Sequence, residues 1–191
     1  MTRDTLFTAK EEEKATREGF GDGLVHAGEL DTRVVALCAD LTKSVKMDGF
    51  RAKFPNRFFE VGITEQAISG LASGMAAFGY IPFMSSYAMF SPGRNWEQIR
   101  TTIAYNNVPV KVVGAHAGIS VGPDGATHQA IEDIAIMRMI PNMQVFVPCD
   151  AIEARAITEH IATTKSPSYL RLTREKTPMM LPDTYTWKHG K

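Results

Sequence analysis

Short apolar runs and helical patterns take turns along the whole chain. Arg33–Cys38, Phe58–Val61, Ile81–Ser85, Val110–Ala115, Gln144–Val147 and Tyr169–Leu172 are apolar runs bounded by polar or turn residues, and they predict strands. Thr8–Glu29, Met47–Lys53, Thr64–Phe78, Asn95–Tyr105, Ile131–Met139 and Ile152–Thr163 predict helices. The first of these places acidic residues in its opening turns. Strand and helix in alternation imply an α/β fold, a three-layer α/β/α arrangement with a mostly parallel central sheet. Ligands of such sheets sit beyond the carboxyl ends of the strands. Those ends fall at Ala39-Asp40, Val61-Gly62, Ser85-Ser86, Ala115-His116 and Pro148, where polar residues gather.

Composition narrows the possibilities. With 191 residues, 44% of them hydrophobic, the chain can bury the core of one domain. Lys+Arg equals Asp+Glu at 21 each, so no electrostatic footprint for nucleic acid or anionic lipid is expected. No apolar run is long enough to span a membrane and no signal peptide opens the sequence, so a cytoplasmic location is expected. Cys38 and Cys149 lie too far apart for a zinc site and are expected to be buried free thiols.

Three segments carry candidate chemistry. In "FFEVGITEQAISGLASGMAAFGYIPFMSSYAMF", Phe58–Phe90, a strand ends at a glycine and a helix opens on Thr64-Glu65-Gln66. Glu65 in that first turn points either into the crevice or simply along a favourable helix dipole. In "HAGISVGPDGATHQAIED", His116–Asp133, two histidines, Asp124 and three glycines fill a loop between strand and helix. Long loops of that kind are more often functional than not. His116, Asp124 and His128 match no compact metal-ligand spacing, and two histidines in one loop suit ligand contact or proton transfer. The aromatic set Phe83, Tyr87 and Phe90, with Arg94 behind, offers either core packing or a face on which a flat ligand stacks. A fourth feature misleads. Gly21-Asp22-Gly23, in "ATREGFGDGLVHAG", opens like a magnesium diphosphate motif, but it lies inside a helical pattern and no asparagine follows at the needed distance. Its glycines instead let a helix approach a neighbour, at some cost in helix propensity.

Taken together, these segments resemble the pyrimidine-binding (Pyr) domain of the transketolase family of thiamine diphosphate enzymes. "ATREGFGDGLVHAG" is similar to that domain's opening helix and "CADLTKS" to its Asp-Leu-Thr-x-Ser loop. "EVGITEQ" matches the motif of the catalytic glutamate, "GPDGATHQAIED" the Asp-Gly-x-Thr-His-Gln loop, and "LRLTR" a late strand ending in a substrate-binding arginine. The resemblance runs from about Ala15 to Pro182, and residues 1–182 are expected to form the domain, with 183–191 starting a linker to a further one.

The resemblance implies roles. Glu65 hydrogen-bonds the N1′ atom of the cofactor's aminopyrimidine, favouring the imino tautomer that takes a proton from the thiazolium. Phe90 stacks on the pyrimidine with Tyr87 beside it, and Asp40 lies near the cofactor at a subunit interface. His128 meets a substrate oxygen and Asp124 reads a sugar hydroxyl. His116, Ser44 and Arg174 grip a phosphate, which suits an arginine fork. One residue is inserted after Phe90 relative to the synthase branch, leaving Arg94 without a role, whereas "DLTKS" favours the transketolase branch.

The implied activity is transfer of two-carbon ketol units between sugar phosphates. The implied partners are a subunit with the diphosphate-binding domain, which also holds magnesium, and a second copy of this chain. Helix Thr64–Phe78, with Gly70, Ser73 and Gly74, is either that self-interface or internal packing. Other readings are part of a deoxyxylulose-phosphate synthase, a 2-oxo acid dehydrogenase β subunit, or a non-catalytic dimerisation module.

Overall fold

The structure, a computed structural model, describes residues 12–190. A short strand, β1 (Glu13–Ala15), leads directly into α1 (Thr16–Leu30). The predicted first helix therefore starts eight residues late: Thr8–Glu11 lie outside the described residues, and Glu13–Ala15 pair in antiparallel fashion with β8 (Lys176–Pro178). The Glu18 carboxylate sets the boundary by accepting the Ala15 N–H at 2.9 Å, a contact that satisfies one orphan donor of the helix start.

The chain continues through β2 (Val34–Cys38), α2 (Asp48–Lys53), β3 (Phe58–Glu60), α3 (Glu65–Ala77) and β4 (Ile81–Tyr87). Next come α4 (Trp96–Gln98), β5 (Lys111–Ala115), α5 (Asp133–Arg138), β6 (Gln144–Phe146), α6 (Ala151–Thr163) and β7 (Ser168–Arg171). The helix predicted over Asn95–Tyr105 is α-helical only in α4 and widens into a π-helical stretch over Ile99–Ala104. Six strands form one sheet in the order β3-β2-β4-β5-β7-β6, every pair parallel. Strand β2 is buried at all five positions, as a strand covered on both faces must be.

Side chains alternate across the sheet and build two cores. Val34, Ala36 and Cys38 face α1 and α6, joining Phe20, Leu24 and Ile157. Val35 and Leu37 face the other way, joining Ile68 and Ala72 of α3 and Ile103 of the π-helical stretch. Helices on both faces of a parallel sheet make the expected three layers. The glycines of α1 account for its fit. A Cβ on Gly19 would stand 1.9 Å from the Ala151 carbonyl oxygen, and one on Gly23 2.8 Å from that of Arg155, so α1 and α6 cross nearly backbone to backbone. Gly21 sits equally close to the Lys46 backbone, while Asp22 is exposed and ion-pairs with Lys14.

Of the two thiols, Cys38 is buried at the end of β2, but Cys149 is exposed. The edge strand β6 stops at Phe146, so Cys149 falls in the surface connection to α6 rather than at a strand end. No helix among the described residues is long and apolar enough to cross a membrane.

Candidate functional site

At the carboxyl ends of β2 and β5 the backbone takes left-handed conformations at non-glycine residues: Asp40 has φ 57° and His116 φ 56°. Such geometry persists only where surrounding structure enforces it, and it clusters at functional sites. At Asp40 the enforcing group is Glu60, at the end of β3. Its carboxylate accepts the Asp40 N–H at 2.6 Å and the Thr42 hydroxyl at 2.7 Å.

Glu65 is the first residue of α3, reached through a turn in which Gly62 has φ 70°. Its carboxylate is only 2% exposed. Burial at that level requires partners. Ser86 on β4 donates its hydroxyl to Oε1 at 3.0 Å, and Arg94 donates Nη1 to Oε2 at 3.0 Å. Asn95, wholly buried, clamps the same turn from below: Nδ2 reaches the Glu65 carbonyl at 2.9 Å, Ser69 Oγ at 3.0 Å and Ser91 Oγ at 3.1 Å. Because a carbonyl only accepts, this contact fixes which end of the amide faces α3.

Glu65, Ile63, Tyr87, Phe90 and His128 line one cavity of about 190 Å³, together with Asp40. The His128 ring meets Phe90 edge-on at 5.2 Å, and its Nδ1 is engaged by the Thr127 hydroxyl at 2.8 Å, which leaves Nε2 as the ring nitrogen available to a ligand. Phe83 does not join this set. It packs into the core against Phe20, 6.4 Å away, because it sits four residues before Tyr87 on the same face of β4, deep in the sheet rather than at its carboxyl end.

A second cluster adjoins the first through Tyr87, whose ring lies 4.0 Å from His116 and 6.2 Å from His128. Arg17 of α1 donates Nη1 to the Ser44 carbonyl at 2.9 Å and to His116 Nε2 at 3.0 Å. Burial, with the Arg17 and Arg174 guanidiniums nearby, pushes the His116 pKa down to about 4, against a smaller opposing pull from Asp124. The ring is therefore neutral at pH 7, and since a guanidinium only donates, Nδ1 carries the proton. That Nδ1 and the Arg17 Nε are both buried without a hydrogen-bond partner. Arg174 donates to the Val121 carbonyl and lies 3.8 Å from Asp124. Two orphan donors beside two cations suit an anionic ligand.

The structure thus brings Glu65, Asp40, Tyr87, Phe90 and His128 around one cavity, and Arg17, Asp124 and Arg174 around His116, with Ser44 held by Arg17 through its carbonyl. Sequence reasoning did not single out Arg17, Glu60 or Asn95, and it named Ser86 only as a strand-end position. Arg17 lies in the quoted opening helix, four residues before the misleading glycine triplet, where its charge beside a strand-end crevice was the available signal.

Fold and site define an α/β domain with a ligand crevice beyond the carboxyl ends of its parallel strands. The family model described as "Transketolase, pyrimidine binding domain" matches residues 12–180, and the chain belongs to that family. It is 46% identical over 167 residues to a chain of Methanocaldococcus jannaschii described as a transketolase C-terminal section, covering 87% of this chain and 53% of that one. It is 38% identical over 168 residues to a 6-deoxy-6-sulfo-D-fructose transketolase subunit of Clostridium sp., covering 88% of this chain and 52% of the relative. Among solved structures, a split gene transketolase described as an inactive beta4 tetramer superposes with a TM-score of 0.84 at 43% identity, over 94% of this chain and 58% of that one. The chain spans about half the length of the curated relatives it matches.

Proposed function

We propose that this chain is the pyrimidine-binding part of a transketolase-like thiamine diphosphate enzyme that transfers two-carbon ketol units between sugar phosphates. One observation carries the reading: the buried Glu65 carboxylate and the Phe90 ring share a small, largely apolar cavity. An aminopyrimidine fits that chemistry, needing a flat apolar wall and one carboxyl at a ring nitrogen. Among the described residues no group of three or more His, Cys, Asp or Glu side chains is placed to hold a metal. The diphosphate and its magnesium are assigned to a partner subunit or domain, with residues 1–182 as the Pyr domain and 183–191 leading on from it.

When bound, thiamine diphosphate supplies the carbanion-stabilising centre. Glu65 holds a hydrogen bond at the pyrimidine nitrogen, and Ser86 and Asn95 hold Glu65. Phe90, Ile63 and Tyr87 exclude water, which strengthens that bond. His128 Nε2 meets a substrate oxygen, and Asp124 reads a hydroxyl. Arg17, His116, Ser44 and Arg174 receive the phosphate, with Arg17 and His116 contributing the two unpaired donors. Asp40 lies where a second copy of the chain approaches the cofactor.

The test combines this chain with a partner subunit bearing a diphosphate motif, thiamine diphosphate and magnesium, and follows ketol transfer from a sugar phosphate to an aldose phosphate. Turnover is expected only with both proteins, and Glu65→Ala is expected to lower it by roughly a hundredfold or more. Undiminished turnover of Glu65→Ala would make the chain a dimerisation module. Dependence on pyruvate as donor would move it to the deoxyxylulose-phosphate synthase branch.

A further inference from the structure

Arg94 makes the contacts that the aminopyrimidine needs. Its Nη1 bonds Glu65 Oε2 at 3.0 Å, and its guanidinium carbon lies over the Phe90 ring, 5.2 Å from the centroid. A guanidinium is flat, delocalised and edged with N–H groups, so it satisfies a carboxylate with its rim and an aromatic ring with its face. Those are the two interactions that a stacked, hydrogen-bonded pyrimidine ring makes. Glu65 Oε1 is already held by Ser86, so Oε2 is the oxygen left for a ligand, and Arg94 is on it.

The two ends of this ion pair differ in freedom. The Glu65 side chain is 2% exposed and clamped through its helix turn by Asn95, whereas the Arg94 side chain is 48% exposed. Glu65 is fixed, and Arg94 has solvent to swing into. Without a cation or ligand, the buried carboxylate would stand unpaired, a costly arrangement. We propose that Arg94 is a self-ligand: it occupies the pyrimidine slot of the ligand-free chain, keeps Glu65 partnered there, and is displaced when a 4-aminopyrimidine enters. This inference rests on reading the Glu65–Phe90 cavity as the pyrimidine slot. Arg94 would then set cofactor affinity by competition.

The test titrates 4-amino-2-methylpyrimidine into the full 191-residue chain. Binding is read by calorimetry and by the side-chain Nε–H resonance of Arg94. Wild type is compared with Arg94→Met, Arg94→Lys and Glu65→Gln. Arg94→Met is expected to bind the probe about tenfold more tightly, the ratio for losing one charge-assisted hydrogen bond of competition. Arg94→Lys, which keeps charge but loses the flat fork, should fall between. In wild type the Arg94 resonance should move to its solvent-exposed position at saturation. A merely structural arginine would give the opposite sign, weaker binding on loss. Glu65-dependent binding that Arg94→Met leaves unchanged or weakens would overturn the self-ligand while leaving the slot in place. Absence of Glu65-dependent binding in every variant would overturn the slot, and the self-ligand with it. Should Arg94→Met not fold, the Arg94→Lys affinity and the wild-type resonance decide between the same outcomes.

Discussion

Lys111, at the start of β5, keeps its ammonium group inside the protein, where it donates to the Thr164 carbonyl at 3.0 Å, the Thr164 hydroxyl at 3.1 Å and the Ser166 carbonyl at 2.7 Å. It ties the end of α6 to the sheet, on the side away from the cavity. Burial pushes its pKa down from 10.5 to about 7. Between those values the unfolded chain keeps the proton and the folded chain loses it. The unfolded state binds more protons, so stability contributed here rises with pH across that window and is lowest below it. Urea unfolding of wild type and Lys111→Met at several pH values from about 7 to 10 should show the gap shifting in favour of wild type, by up to ~1.4 kcal/mol per pH unit. A gap that stays constant would mean the ammonium remains charged throughout. Arg17 offers a second test at this scale. In the completed enzyme, Arg17→Met should raise KM for phosphorylated substrates roughly tenfold or more while sparing the matching unphosphorylated sugars, since one charge-assisted hydrogen bond is lost only where a phosphate accepts it. Equal losses on both substrate types would place Arg17 in structural support of His116 instead.

At the scale of elements, α1 lies against α6 with no room for a side chain between them. Gly19→Ala puts a methyl 1.9 Å from a backbone oxygen, which no rotamer can relieve, so the helices must part. The expected loss is about 2 kcal/mol or more, checked by chemical denaturation, because overpacking outweighs the small gain in helix propensity. A variant as stable as wild type would show that α1 can slide. This contact also marks what could be read from sequence. Alternating strands and helices were legible because each carries a long apolar signal, and the placement of Glu65 followed from a strand, a glycine and a helix start in succession. β1 and β8 were not legible, since Glu13-Lys14-Ala15 and Lys176-Thr177-Pro178 carry no apolar run and find each other across the chain. The π-helical stretch escaped because its apolar spacing reads as an ordinary helix. The roles of Ser86, Asn95 and Arg17 escaped for a different reason. Their importance comes from neighbours 21, 30 and 99 positions away, distances that only the folded sheet closes.

For the whole molecule, α3 divides its surface between two duties. Ile68, Ala72 and Ala76 face the core, while Ala67, Gly70, Leu71, Gly74 and Phe78 face outward on a single stripe. Leu71 is 48% exposed and Phe78 89%. Side chains of that kind are ordinarily covered when they line up with small residues that admit close approach. Gly70 and Gly74 have nothing within 4 Å of an added Cβ, so they are not needed for packing within the chain. A two-fold interface presents the same patch on both copies, and one helix laid against its own copy meets that requirement. The same helix begins with Glu65, so pairing along it would hold two cavities in fixed relation and steady both carboxylates at once. Sedimentation of wild type at about 10 µM should therefore give a dimer. The double variant Leu71→Asp/Phe78→Asp should give a monomer with an unchanged circular dichroism spectrum, its association weakened at least about a hundredfold by two unpaired charges on each side. If the wild type sediments as a monomer, or the double variant still pairs, α3 is not the self-interface, and the support for Glu65 comes from within the chain, through Ser86, Asn95 and, in the ligand-free state, Arg94.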